Sequence, residues 1–160
     1  MKPSPLTFLK IEFIQVHVSA DYKAEDTGPK FDFEGALIGL SIKHGQHKED
    51  GTWWVAVGFR TKNPPNAEAL CPYIIDVFAV GTFEVAEAFE EDRKERLVYE
   101  NGAALVYGSI RDMVSTITAR SSPGLLMLPT PTFMGEFDLY KENSTKKPRK
   151  KPVKKNQSLN

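Results

Sequence analysis

The residues of this chain that could do covalent or metal chemistry are few and scattered. His44 and His47 stand three apart in a polar stretch and could share a metal ion, but no cysteine or carboxylate cluster backs them as a ligand set. Asp76 sits inside an apolar run, where a carboxyl could act as an acid catalyst; with no histidine or second carboxylate close in sequence, an outward-facing strand residue is the competing reading. The lone Cys71 precedes Pro72 and reads as a small packing residue, and a single cysteine excludes an internal disulfide framework. No glycine-rich phosphate loop, nucleophile elbow or zinc-ligand spacing is present. The chain thus offers no catalytic residue, metal site or cofactor site, and it is expected not to be an enzyme.

What it has in excess is apolar side chain that can bind without bond-making. Phe31, Phe33, Trp53, Trp54, Tyr73, Phe78, Phe83, Phe133, Phe137 and Tyr140 fall at strand ends and near the C-terminal end of the apolar part, with Leu125–Leu128 and Met134 between them. Such residues either fill a core or line an apolar groove whose non-directional contacts accept unlike segments.

The elements that would position them follow from periodicity. Phe8–Ser19 alternates as a strand, with a slip at Ile14 that suggests a β-bulge. Ala36–Lys43 is a second strand, with Ile38, Leu40 and Ile42 on one face. Trp53–Thr61 is a third. Leu70–Val85 is a fourth, apolar enough to suggest cover on both faces, with Gly81 marking a bulge or a close backbone approach. Short polar loops join them, so an antiparallel four-stranded β-meander is expected. Residues 86–100 read as a short charged helix, and Asn101-Gly102 as its stop and the cap of a long helix from Ala103. Val106, Ile110, Met113, Val114 and Ile117 form that helix's apolar stripe, opposite a face of small residues that includes Gly108, Ser115 and Ala119. Leu125–Phe133 holds Pro129 and Pro131 and is an extended connection rather than a central strand; Met134–Tyr140 is a short terminal helix. The fold class is α+β: a four-stranded antiparallel sheet, a long helix and a short C-terminal helix.

The zero net charge conceals a division. Residues 1–140 carry −7 and residues 141–160 carry +7. Residues 1–140 form one domain, and 141–160 form a basic tail without aromatics, expected to be disordered. The tail could contact nucleic acid, dock a partner, balance the body's charge or serve solubility. No secretory leader or membrane-length apolar run occurs, so a cytoplasmic protein without membrane insertion is expected.

Three stretches together resemble the SecB family of protein-export chaperones. Asp76-Val77 followed by Gly81-Thr82-Phe83-Glu84-Val85 is similar to its E-V-x-x-x-G-x-F-x-I strand. Leu105-Val106-Tyr107 and Ile110-Arg111-Asp112-Met113-Val114 resemble its L-F/Y-P-x-x-R-E-x-I/V helix, and Ser121–Phe133 its G-x-P-x-L-x-L-x-P-x-N-F connection. The opening Phe13-Ile14-Gln15-Val16 fits as well, so the match runs in order over roughly residues 8–140. The resemblance implies an ATP-independent holdase that keeps unfolded polypeptides from aggregating in grooves between the sheet, the crossover after the first strand and the terminal helix. Carried over by position, the client-binding residues are Phe33, Ile38, Leu40, Ile42, Phe133, Phe137 and Tyr140. It also implies a homotetramer, a dimer of dimers through the long helix, with Val106, Gly108, Ile110, Ser115 and Ala119 at the contact. Partners beyond the unfolded clients stay open between the SecA motor, an antitoxin, and nucleic acid through the tail. The chain departs from the family at Gly108, where proline is usual, in the extra charge of residues 86–100, and in a basic tail where export members are acidic.

Overall fold

A computed structural model describes residues 3–21, 33, 36–64 and 71–145; the statements below concern these. Four strands, β1 (Leu6–Ala20), β2 (Leu37–Gln46), β3 (Trp53–Lys62) and β4 (Tyr73–Val85), form one antiparallel sheet in the order β1-β4-β3-β2. The expected meander holds for β2, β3 and β4, while β1 crosses over to pair with β4 instead of β2. β4 is therefore an inner strand, paired along both edges. Among the described residues one of its faces is sealed, with Tyr73, Ile75, Val77, Ala79 and Phe83 buried, while on the other face Phe78 and Val80 are half-buried and Ile74 is 45% exposed. The β1 register slips between Phe13 and Gln15, placing a bulge at Ile14, and slips again between Phe8 and Lys10.

Helix covers the buried face. α1 (Glu91–Leu97) carries the charge run as i,i+3 pairs, Glu90–Arg93 and Glu91–Lys94. The expected stop at Asn101-Gly102 does not occur. A π-helical turn, Val98–Gly102, links α1 directly to α2 (Ala103–Thr118). Packing explains why glycine is there: a Cβ on Gly102 would lie 2.8 Å from a Val55 methyl, so the bare backbone lets the helix seat against β3. Gly81 plays the matching part in β4, where a Cβ would meet Val106 at 2.5 Å; it is a close approach and not a bulge. Ala103, Val106, Tyr107, Ile110, Val114 and Thr118 form the buried stripe of α2.

The proline-containing connection has no ladder, so its backbone is satisfied by side chains. Tyr73 donates its hydroxyl to the Gly124 carbonyl at 2.6 Å, Arg111 donates to Leu128 at 3.1 Å and Tyr107 to Pro129 at 2.8 Å. Leu126, Leu128 and Phe133 point inward and are buried, while Leu125 and Met127 stay exposed. α3 (Glu136–Thr145) closes the described chain. It runs through residues 141–145, beyond the expected helix end at Tyr140; the rest of the tail lies outside the described residues.

Candidate functional site

Alternation on β2 puts Ile38, Leu40, Ile42 and His44 on the helix-facing side, opposite Thr61, Phe59, Val57 and Val55 of β3. Those β3 residues are sealed, because α2 packs over β3, β4 and β1. β2 lies past the edge of that cover. Ile38 and Leu40 remain 41% and 39% exposed, and Leu37 on the opposite face is also open. The result is an apolar strip, one strand wide, whose floor continues the core and which no described element roofs.

The other end of the strip is closed by aromatics. The His44 ring, 3% exposed, meets Tyr99 of the π-helical turn edge-on at 5.2 Å and Tyr140 of α3 at 5.1 Å. Phe137 completes the box, 5.7 Å from Tyr99 and 6.4 Å from Tyr140 between ring centres. Nε2 of His44 lies 3.0 Å from Oε1 of Glu95, whose other oxygen accepts from Lys141 Nζ at 2.6 Å. Burial pushes the Glu95 carboxyl up, but the hydrogen bonds from Lys141 and His44 outweigh it and hold the group below the ordinary carboxylate value. Nδ1 of His44 is buried without a hydrogen-bond partner among the described residues.

Of the residues expected to line a groove, Ile38, Leu40 and Ile42 form the strip, and Phe137 and Tyr140 close its end. Phe33 and Phe133 belong to the buried core, at 8% and 6% exposure, with Phe133 packed on Tyr107 at 5.9 Å. Tyr99, Glu95 and Lys141 carry no site signal in the sequence. His44 reads there as a loop residue, although it continues the two-residue period of Ile38, Leu40 and Ile42, which is the signal that finds it. The residues expected at a subunit contact divide by face. Val106 and Ile110 are fully buried in this chain's own core, so they are not available to a partner; Gly108 and Ala119 are exposed and Ser115 half-exposed.

The covalent and metal candidates have local partners. Asp76 accepts from Arg60 Nε at 2.8 Å across the open face of the sheet. Cys71 is buried, and burial pushes its thiol up, away from the reactive thiolate. Among the described residues no group of three histidine, cysteine or carboxylate side chains is placed to hold a metal. No described helix is long and apolar enough to cross a membrane.

No protein-family model and no curated protein matches the sequence. Solved structures do match. The SecB-like chaperone Rv1957 of Mycobacterium tuberculosis, solved in complex with a ChAD peptide from the antitoxin HigA1, superposes with a TM-score of 0.54 at 12% identity, over 79% of this chain and 88% of that one. A Streptococcus agalactiae protein of unknown function aligns with a TM-score of 0.41 at 11% identity, over 78% of this chain and 96% of its own. The first of these shows that the chain has a SecB-like fold.

Proposed function

We propose that this protein is an ATP-independent holdase chaperone that keeps unfolded polypeptide segments on the open β2 strip. The observation that carries the reading is the exposure of Ile38 and Leu40 on a face whose remainder is core. Burying one such side chain under a client contributes about 1.5–3 kcal/mol, so a few contacts in series hold a chain without nucleotide. The SecB-like fold supports this use of the strip.

Among clients, the reading that fits best is a dedicated antitoxin. The neighbouring SecB-like chaperone was solved with an antitoxin peptide. Delivery of precursors to SecA has less support, since acidic docking surfaces serve that role in export members. Here the open face of the sheet carries Lys10, Lys43, Arg60 and Lys62 beside Glu12, Asp76 and Glu84. A homotetramer in the cytoplasm is part of the proposal, joined through the small-residue face of α2 at Gly108, Ser115 and Ala119. The test is light scattering of a chemically unfolded model client diluted into the purified protein without ATP, with particle mass measured alongside. Suppressed scattering by a tetramer is expected; unchanged scattering overturns the holdase. Suppression abolished by removing residues 146–160, with salt-sensitive nucleic-acid binding lost at the same time, would favour the tail-based adaptor instead.

A further inference from the structure

The two faces of the sheet differ in charge as well as in cover. Residues 1–140 carry −7, yet β2 and β3 contain no aspartate or glutamate. Their lysines and arginine, Lys43, Arg60 and Lys62, fall by alternation on the open face, away from α2 and from the Ile38–Leu40 strip. All three are exposed, and Lys43 and Lys62 take part in none of the described ion pairs. Arg60 is held by one edge: its Nε donates to Asp76 of β4 at 2.8 Å, while the side chain stays 70% exposed. Between Lys43 and Arg60 the face sinks into a hollow of about 330 Å³. Its floor is made by the small residues Gly39, Ser41, Ala56 and Gly58, with Gln15 and Phe78 beside it. Gly58 lets its neighbours approach: a Cβ there would lie 2.6 Å from Ser41 Oγ and 3.4 Å from the Phe78 ring.

We propose that this hollow and the cations around it form a docking surface for an acidic, extended polypeptide segment. Charge complementarity selects the sign, since a positive patch on an acidic body attracts carboxylates that the rest of the body repels. Register selects the pattern. Lys43 stands opposite Ala56, four residues before Arg60 on β3, so the two lie about 13 Å apart along the strands, with Lys62 about 7 Å further on. An extended chain repeats its side chains at the same rise, so carboxylates at its first, fifth and seventh positions meet Lys43, Arg60 and Lys62 in turn. The third position then falls over Gly58 beside Phe78, where an apolar side chain is buried in the hollow. A phosphate backbone fits less well, because its charges are evenly spaced and Asp76, beside Arg60, repels them. The surface lies across the sheet from the Ile38–Leu40 strip, so it goes beyond the holdase reading and does not depend on it: an acidic partner can dock while a client is held.

The test titrates the full-length protein with a fluorescent seven-residue peptide that has aspartate at positions one, five and seven, valine at three and serine elsewhere. A peptide of the same composition with its aspartates adjacent is the control. Lys43→Glu with Lys62→Glu alters only exposed side chains, and binding should weaken about 10-fold. Gly39→Val fills the hollow without a clash, since a Cβ there meets Arg60 Cβ at 3.8 Å; it should weaken the peptide but spare an analogue with serine at position three. Binding should fade as salt rises, and amide NMR shifts should move at Gly39, Ser41 and Gly58. The basic residues 146–160 are present in every variant, so their own attraction for acid cancels in these comparisons. Equal affinity for the unaltered and the doubly reversed protein overturns the proposal, as does equal affinity for the two peptides. Shifts confined to residues 141–160 overturn it too. A single-stranded oligonucleotide that binds more tightly than the peptide, and is lost on the same double reversal, overturns it in favour of nucleic acid. Ile38→Ser with Leu40→Ser separates the two faces: unchanged peptide binding supports a surface of its own, and lost binding overturns it.

Discussion

Leu40 and His44 stand four residues apart on the same face of β2, and the chain treats them in opposite ways. The histidine ring is sealed at 3% exposure, while the leucine is left at 39%. Polarity would predict the reverse. The difference comes from the reach of the helices. The π-helical turn and α3 extend over one end of β2 and bring Tyr99, Phe137 and Tyr140 onto His44; nothing comparable among the described residues reaches Leu40 or Ile38. The two ends therefore do different work. The sealed end contributes to the fold and to holding α3, and the open end keeps apolar area in reserve.

The contrast breaks first at Tyr99. Tyr99→Ala removes the ring that His44, Phe137 and Tyr140 share, and is expected to lower unfolding stability by about 3 kcal/mol in a urea titration. Leu40→Ser is expected to stay within about 0.5 kcal/mol in the same experiment, as for a surface position. Equal losses would mean the open end is core after all.

A second sealed–open pair lies one residue apart on α2. Tyr107 is buried with its hydroxyl on the Pro129 carbonyl, and burial pushes its phenol up to about 12. The unfolded chain ionises this phenol near 10, so the stabilisation is complete below that pH and is lost as pH rises towards 12. Stability measured from about pH 9 to 12 should fall, and Tyr107→Phe should flatten the fall while losing about 1 kcal/mol at neutral pH. A fall of the same size in both proteins would sink the assignment. Gly108, next to it, is exposed, and beyond its chain neighbours and its own helix backbone nothing lies within 4 Å of where a Cβ would stand. Gly108→Ala should raise the stability of the protomer by about 0.8 kcal/mol through helix propensity. If this face joins subunits, the same change shifts sedimentation towards smaller species; an unaltered tetramer would move the contact elsewhere.

The smallest effect concerns the clasp at the sealed end. Glu95 is held below its ordinary value, so the stability it contributes is present above that value and lost as pH falls through the depressed one. Hydrogen exchange between about pH 6 and 3, corrected for intrinsic rates, should show α3 losing protection before the sheet does. Simultaneous loss would show that the clasp does not act separately.

Much of this was legible in the residues. The interrupted alternation at Ile14 marked the bulge, and Pro129 and Pro131 marked a connection without a ladder. What escaped had non-local causes. β1 pairs with β4 across a chain reversal that no local pattern encodes. Asn101-Gly102 has the composition of a stop, yet Gly102 is there for its approach to Val55. His44 looks like loop polarity until Glu95 and the aromatics of α3 arrive from elsewhere in the chain. Phe33 and Phe133 are apolar whether they line a groove or fill a core, and only tertiary packing places them in the core.

The central claim is that the open end of β2 holds client chains, and one double variant tests it. Ile38→Ser with Leu40→Ser should leave the urea midpoint nearly unchanged while reducing suppression of client aggregation several-fold at equal protein concentration, since about 1.5–3 kcal/mol of contact is removed at each position. Full suppression by a normally folded double variant would contradict the claim.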